Sequence, residues 1–259
     1  MNPKTKLILA LTMMTLVTLA CATLTGNSPQ EQPAEPVALP TNTPLPPLPT
    51  STPKPPAPEP TEEPAAAPTE EPAVQPAGDM LFFDDFSDPN SGWDRYSDAE
   101  GSTDYENGAY KIAVYTDTYF YWANPYRNFG DQIIEVEASQ TSADTDTQYG
   151  IVCRHQDVEN WYALVISADG FAAIRERYQG GELEYIADWV QVSAINQGQA
   201  TNMLRAECVG THLSLYVNGV LAIDVFNADI PAGDAGLIAG TFDTTLVEAL
   251  FDNFKVSAP

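Results

Sequence analysis

Leu213-Ser214-Leu215-Tyr216-Val217-Asn218-Gly219-Val220-Leu221-Ala222-Ile223-Asp224-Val225 is two alternating runs joined by Asn-Gly. Asn and Gly both tolerate positive φ, which a two-residue type I′ turn demands at both central positions. Leu213, Leu215 and Val217 fall on one face of the first run. His212, Ser214 and Tyr216 fall on the other, because side chains alternate along a strand. The stretch therefore reads as a β-hairpin with one apolar face.

The same period of two recurs on both sides of it. Strands are expected over 81–86, 109–115, 118–122, 131–140, 148–154, 161–167, 171–178, 183–187, 201–209, 212–217, 220–226, 235–241 and 246–256. Within 131–140, Ile134, Val136 and Ala138 point inward, and Glu135 and Glu137 outward. No stretch keeps a 3.6-residue apolar spacing over three turns. Short strands broken by turn residues at this density predict an all-β fold, a two-sheet antiparallel β-sandwich of jelly-roll type over residues 80–259.

The chain ahead of this domain is of a different kind. Of the 259 residues, the first 81 include no Phe, Trp or Tyr, and 17 of the 22 prolines lie between Pro29 and Pro76. Residues 1–25 read as an export signal: Lys4 and Lys6 precede the apolar run Leu7 to Ala20, and small residues surround Cys21. Val17-Thr18-Leu19-Ala20-Cys21 resembles a lipobox, which would make Cys21 a lipid carrier and the membrane a partner through that anchor. Thr18 stands where a Leu is usual. Ala20-Cys21-Ala22 also fits plain secretion, and an uncleaved anchor is a third reading. All three place the domain outside the cytoplasm.

Residues 26–79 form a Pro, Ala, Thr and Glu-rich stalk. It has too little apolar surface to offset the entropy of ordering, so a disordered, polyproline-biased spacer is expected.

From Met80 to Pro259 there are 28 Asp plus Glu and 8 Lys plus Arg, a net −20. That balance excludes a nucleic-acid partner, which needs a basic stripe. Cys153 and Cys208 share faces with Ile151 and with Leu204 and Ala206. In an oxidising compartment they are expected to form a disulfide, with two buried free thiols as the plainer alternative.

Several segments together carry a resemblance: Phe83-Asp84-Asp85-Phe86-Ser87-Asp88 leading to Ser91-Gly92-Trp93; Tyr149-Gly150-Ile151-Val152-Cys153-Arg154; Asn160-Trp161-Tyr162-Ala163-Leu164; Ser167-Ala168-Asp169-Gly170; Leu215-Tyr216-Val217-Asn218-Gly219; and Phe251-Asp252-Asn253-Phe254-Lys255-Val256. In this order they resemble the concanavalin A-like lectin/glucanase superfamily. Within it, the chain is most similar to laminin-G-like and 3-keto-disaccharide-hydrolase-like jelly rolls of bacterial surface lipoproteins. The resemblance implies two stacked antiparallel sheets of six or seven strands, one of them concave. It implies no single function, because the superfamily holds lectins, glycosidases and adhesion modules.

Glycosidases of the superfamily carry Glu-x-Asp-x-x-Glu on one strand. Glu135-Val136-Glu137 puts two acids on one face but lacks the middle and last acids, since Ala138, Ser139 and Gln140 follow. There is no Gly-x-Ser-x-Gly, His-Glu-x-x-His or Cys-x-x-Cys. His155 and His212 read as isolated surface histidines. The reading is therefore a non-catalytic module, most readily one that binds an extracellular glycan. A glycosidase of the same fold, or an adhesion module holding a surface protein, are the rivals.

Sugars are held by aromatic platforms with polar side chains on the hydroxyls. The candidate ligand residues are Tyr119, Tyr121, Trp122, Arg154, Trp161, Arg175 and Arg177, with Tyr126 and Phe129 in a following loop. No cofactor is required. A structural calcium is the one metal considered, at Asp84, Asp85 and Asp252 if the first and last strands pair, with Asp144 and Asp146 as a second acidic candidate.

Overall fold

The computed structural model describes residues 78–259. The expectations for Cys21, the export signal and the stalk up to residue 77 lie outside the described residues. Fifteen strands and no helix make up the described chain.

The larger sheet has nine strands. Its order is β13 (Val220–Phe226), β12 (His212–Val217), β11 (Asn202–Val209), β6 (Gln132–Gln140), β15 (Val247–Ser257), β4 (Ala109–Val114), β3 (Gly101–Glu106) and β2 (Tyr96–Ser97). The ninth, β1 (Met80–Asp84), pairs with the last residues of β15, so first and last strands do lie together. The smaller sheet runs β10 (Glu184–Gln191), β9 (Phe171–Arg177), β8 (Asn160–Ile166), β7 (Thr147–Asp157), β14 (Asp234–Thr241) and β5 (Phe120–Ala123). Every pairing is antiparallel. The nine-stranded sheet exceeds the six or seven strands expected because β2 and β3 join its edge.

The alternation read from the sequence builds the core. Ile134, Val136, Ala138, Leu213, Leu215 and Val217 are all fully buried in one cluster between the sheets. Each large aliphatic side chain so placed contributes roughly 1.5–3 kcal/mol. Asn218 and Gly219 have φ of 51° and 82°, as the type I′ turn requires. Cys153 of β7 and Cys208 of β11 form a disulfide that ties the two sheets together.

Two one-residue irregularities redirect side chains. In β15 the register shifts between Asp252 and Lys255, and Asn253 has φ of 53°. Phe251, Phe254 and Val256 therefore all face the core, which strict alternation forbids. In β7 three steps from Val152 to His155 match two from Gly236 to Asp234 on β14. The extra residue is Arg154, at φ of 52°. It turns away from the outer face, and His155 takes the outward position.

Candidate functional site

An open cleft of about 1060 Å³ lies where the edge strands of the two sheets meet. One wall is β5 and the loop after it, with Tyr119, Phe120, Tyr121, Trp122, Asn124 and Tyr126. The facing wall is Asp94, Tyr96 and Asp98, from β2 and its flanks. His155 and Asp157, from the end of β7, and Asp234, at the start of β14, close one end.

Gly101 of β3 lets the walls approach: a Cβ there would stand 2.5 Å from the Tyr121 ring. The Tyr121 hydroxyl donates to Asp98 Oδ1 at 2.6 Å, and Tyr96 donates to Oδ2 at 2.9 Å. These hydroxyls, Tyr121 first, hold the Asp98 carboxyl below its ordinary range. Asp94 takes the Tyr126 hydroxyl on Oδ1 and the Asn124 N–H on Oδ2. That bond to Asp94, with burial, pushes the Tyr126 hydroxyl up to about 12. Tyr126 is 75% exposed and has φ of 58°, a conformation disfavoured for a bulky residue. Its ring is thus held against the cleft by the Asp94 contact.

Trp122 and Phe120 stand on the outer face of the smaller sheet, 5.9 Å apart. Trp161 lies beneath them, stacked on Trp122 at 6.0 Å with a 27° tilt. His155 meets Trp122 at 6.1 Å. Burial lowers the imidazole pKa, against an opposing pull from Asp157 and Asp94.

Asp234 is 7% exposed and accepts N–H bonds from Arg127 and Ala235 at 3.0 and 2.9 Å. Burial outweighs those bonds and raises its carboxyl from 3.8 to about 6. Folding therefore takes up a proton between those values. The contribution to stability is greatest below the unfolded pKa and is lost as pH rises through about 6. The total is at most about 3 kcal/mol. Wild type should gain stability relative to Asp234→Asn as pH falls from 7 to 4.5, measured by urea unfolding at each pH. Parallel profiles for the two proteins would refute the assignment.

The expected ligand residues are divided by the structure. Tyr119, Tyr121 and Trp122 line the cleft. Trp161 is 1% exposed and supports Trp122 from below instead of meeting solvent. Arg154 is fully buried, so it is corrected from a ligand residue to an internal tie. Arg175 and Arg177 share the outer face of β9 but do not line the cleft. Arg175 donates to Gln148 Oε1 at 3.0 Å and lies 4.7 Å over Tyr185.

The acids of the calcium expectation are held by protein partners. Asp84 accepts the Trp93 indole N–H at 3.0 Å and the Phe86 N–H at 2.8 Å. Asp85 takes both the N–H and the hydroxyl of Ser87. Asp252 pairs in register with Glu137, not with β1. Among the described residues no group of three or more His, Cys, Asp or Glu is placed to hold a metal ion, and this includes Asp144 and Asp146. The Phe83–Trp93 motif is instead a packing device, since Trp93 meets Phe86, Tyr110 and Phe254 at 4.9–5.3 Å.

Asp94, Tyr96, Asp98, His155 and Asp234 were not anticipated as site residues. A second hollow, of about 340 Å³, is lined by Asp146, Asp169, Phe171, Tyr185, Trp189 and Phe242.

No protein-family model matches the sequence, and no curated protein matches it. Solved structures do. A β-glucanase from Bacillus licheniformis matches with 12% identity and a TM-score of 0.52, over 71% of this chain and 100% of that one. A Bacillus subtilis protein of unknown function with a galectin-like fold matches with 12% identity and a TM-score of 0.51, over 71% and 98%. An endo-β-galactosidase from Clostridium perfringens that releases GlcNAcα1-4Gal matches with 12% identity and a TM-score of 0.50, over 72% and 64%. The domain shares the two-sheet jelly-roll fold of these structures.

Proposed function

We propose that the cleft between β2 and β5 binds a carbohydrate outside the cytoplasm without cleaving it. The observation that carries this reading is the cleft itself. It brings Tyr96, Tyr119, Tyr121, Trp122 and Tyr126 together with Asp94, Asp98 and Asn124. Aromatic faces cover the C–H side of a sugar ring, and carboxylates and amides take its hydroxyls. Its volume, about 1060 Å³, is ample for an oligosaccharide. The fold supports the reading, since similar structures include a β-glucanase and an endo-β-galactosidase. In this reading Cys21 carries a lipid and the proline-rich stalk holds the domain off the membrane.

The test is a glycan array of the full chain against neutral, amino and acidic oligosaccharides, with Trp122→Ala in parallel. Binding should appear and fall at least about tenfold in the variant, the worth of one lost ring platform. No binding to any glycan would defeat the reading.

One observation favours a second reading, a glycoside hydrolase. Asp234 keeps its proton to about pH 6 in the same cleft as Asp94, as a general acid must. Release of reducing sugar by the wild type but not by Asp234→Asn would favour it.

A further inference from the structure

We infer that the cleft selects sugars bearing a free ammonium group, such as oligomers of unacetylated hexosamine, over neutral and anionic sugars. The inference rests on the carbohydrate reading above.

The lining holds four carboxylates, Asp94, Asp98, Asp157 and Asp234, against one Arg or Lys, Arg127. The hydrogen bonds that fix the four come from neutral groups. Asp98 takes two tyrosine hydroxyls and the N–H groups of Glu100 and Gly101. Asp94 takes Tyr126 and the Asn124 N–H. Asp157 takes the Glu159 N–H and the Asn160 amide, both on Oδ1. Asp234 takes two backbone N–H groups. These bonds orient the acids without ion-pairing them, although the Arg127 charge acts on Asp234 from a distance.

The outer face of the larger sheet shows the contrast. There Glu135 is ion-paired with both Arg205 and Lys255. Among the described residues, none of the four cleft acids enters an ion pair within 4.0 Å.

The remaining groups point the same way. The Arg127 guanidinium lies 4.6 Å over the ring of Phe82, which is not part of the lining. Burial keeps His155 from adding a positive charge near neutral pH. Its Nε2 is buried without a hydrogen-bond partner. The ring faces of Trp122 and the tyrosines attract cations through their quadrupoles. An anionic sugar would meet repulsion from the acids, and a neutral one would leave their charge unused.

The experiment is calorimetric titration of the full chain with four tetramers: glucosamine, N-acetylglucosamine, galacturonate and lysine. The glucosamine tetramer should bind at least about tenfold tighter than its acetylated counterpart, by a factor that shrinks in 0.5 M salt on the order expected for screened charges. The galacturonate tetramer should not bind. Trp122→Ala should weaken glucosamine binding at least about tenfold.

Asp157→Asn keeps the Oδ1 acceptor and removes one charge. It should lower the preference for glucosamine over its acetylated counterpart about threefold. Equal binding of the amino and acetylated tetramers, both weakened in Trp122→Ala, would overturn the charge selection and leave the carbohydrate reading standing. Equal binding of tetralysine, or glucosamine binding unchanged in Trp122→Ala, would reduce the effect to general attraction by an acidic domain and overturn it. Absence of binding by every tetramer would overturn both.

Discussion

Removing the Cys153–Cys208 bridge should cost about 4 kcal/mol, because it cross-links 55 residues of chain in the unfolded state. The estimate follows from loop closure: the cross-link withholds entropy from the unfolded ensemble and leaves the folded one nearly unchanged. Here the folded state is already committed to the juxtaposition. Both half-cystines are fully buried between β7 and β11, in the same cluster as Ile151, Leu204 and Ala206. For a domain of this size the loss corresponds to a fall in Tm of roughly 8–16 °C. The double variant Cys153→Ala/Cys208→Ala isolates the cross-link, since Ala adds no buried hydroxyl. Urea unfolding of that variant, and of wild type with and without reductant, measures it. A loss below about 1 kcal/mol would show that the bridge is incidental to packing already sufficient alone.

The pair was legible because each cysteine sits in an alternating run beside apolar neighbours, and alternation survives folding wherever one face is buried. The same rule placed thirteen of the strands. It failed at β2 and β3. Gly101-Ser102-Thr103-Asp104-Tyr105-Glu106 is polar and offers alternation little to read. The signal that was available is Asn107-Gly108, whose φ values of 55° and 82° make the turn between β3 and β4. It is the same dipeptide that marked the β12–β13 hairpin.

Missing that edge hid half the cleft, since Tyr96 and Asp98 lie on and beside β2. Tyr119, Tyr121 and Trp122 were found because four aromatics in succession cannot all be internal. Asp94 and Asp234 were not, because nothing in a single sequence says which loops meet where two sheet edges converge. Alternation also misassigned Arg154. It shares parity with Val152, which faces outward, but the bulge breaks parity at that residue. A bulge is a one-residue event in the pairing of two strands, and neither strand announces it alone.

That misassigned residue should be among the most sensitive in the domain to substitution. Arg154 donates through Nη1 to the Ile230 carbonyl at 3.0 Å. Through Nη2 it donates to the Gly210 carbonyl at 2.9 Å and to Asp131 Oδ1 at 3.2 Å. Asp131 Oδ1 in turn accepts the Gly210 N–H at 2.8 Å. One guanidinium thus joins the end of β7, the β11–β12 turn, the approach to β14 and the head of β6. Arg154→Ala strands two carbonyls and leaves a cavity, a loss of about 3–5 kcal/mol. Arg154→Gly should be less damaging by about 1 kcal/mol, although it removes the same side chain, because glycine relieves the positive φ.

The damage should reach the cleft. Gly233 packs against the Arg154 backbone so closely that a Cβ there would stand 2.4 Å from its carbonyl carbon. His155 pairs with Asp234 immediately beyond the bulge. Loosening Arg154 therefore loosens the cleft end that carries both residues. In urea unfolding the order of stability should be wild type, then Arg154→Gly, then Arg154→Ala, with ligand affinity reduced in both variants. Arg154→Ala within about 1 kcal/mol of wild type would mean that the bulge is held by backbone pairing alone and the guanidinium merely fills the space it leaves.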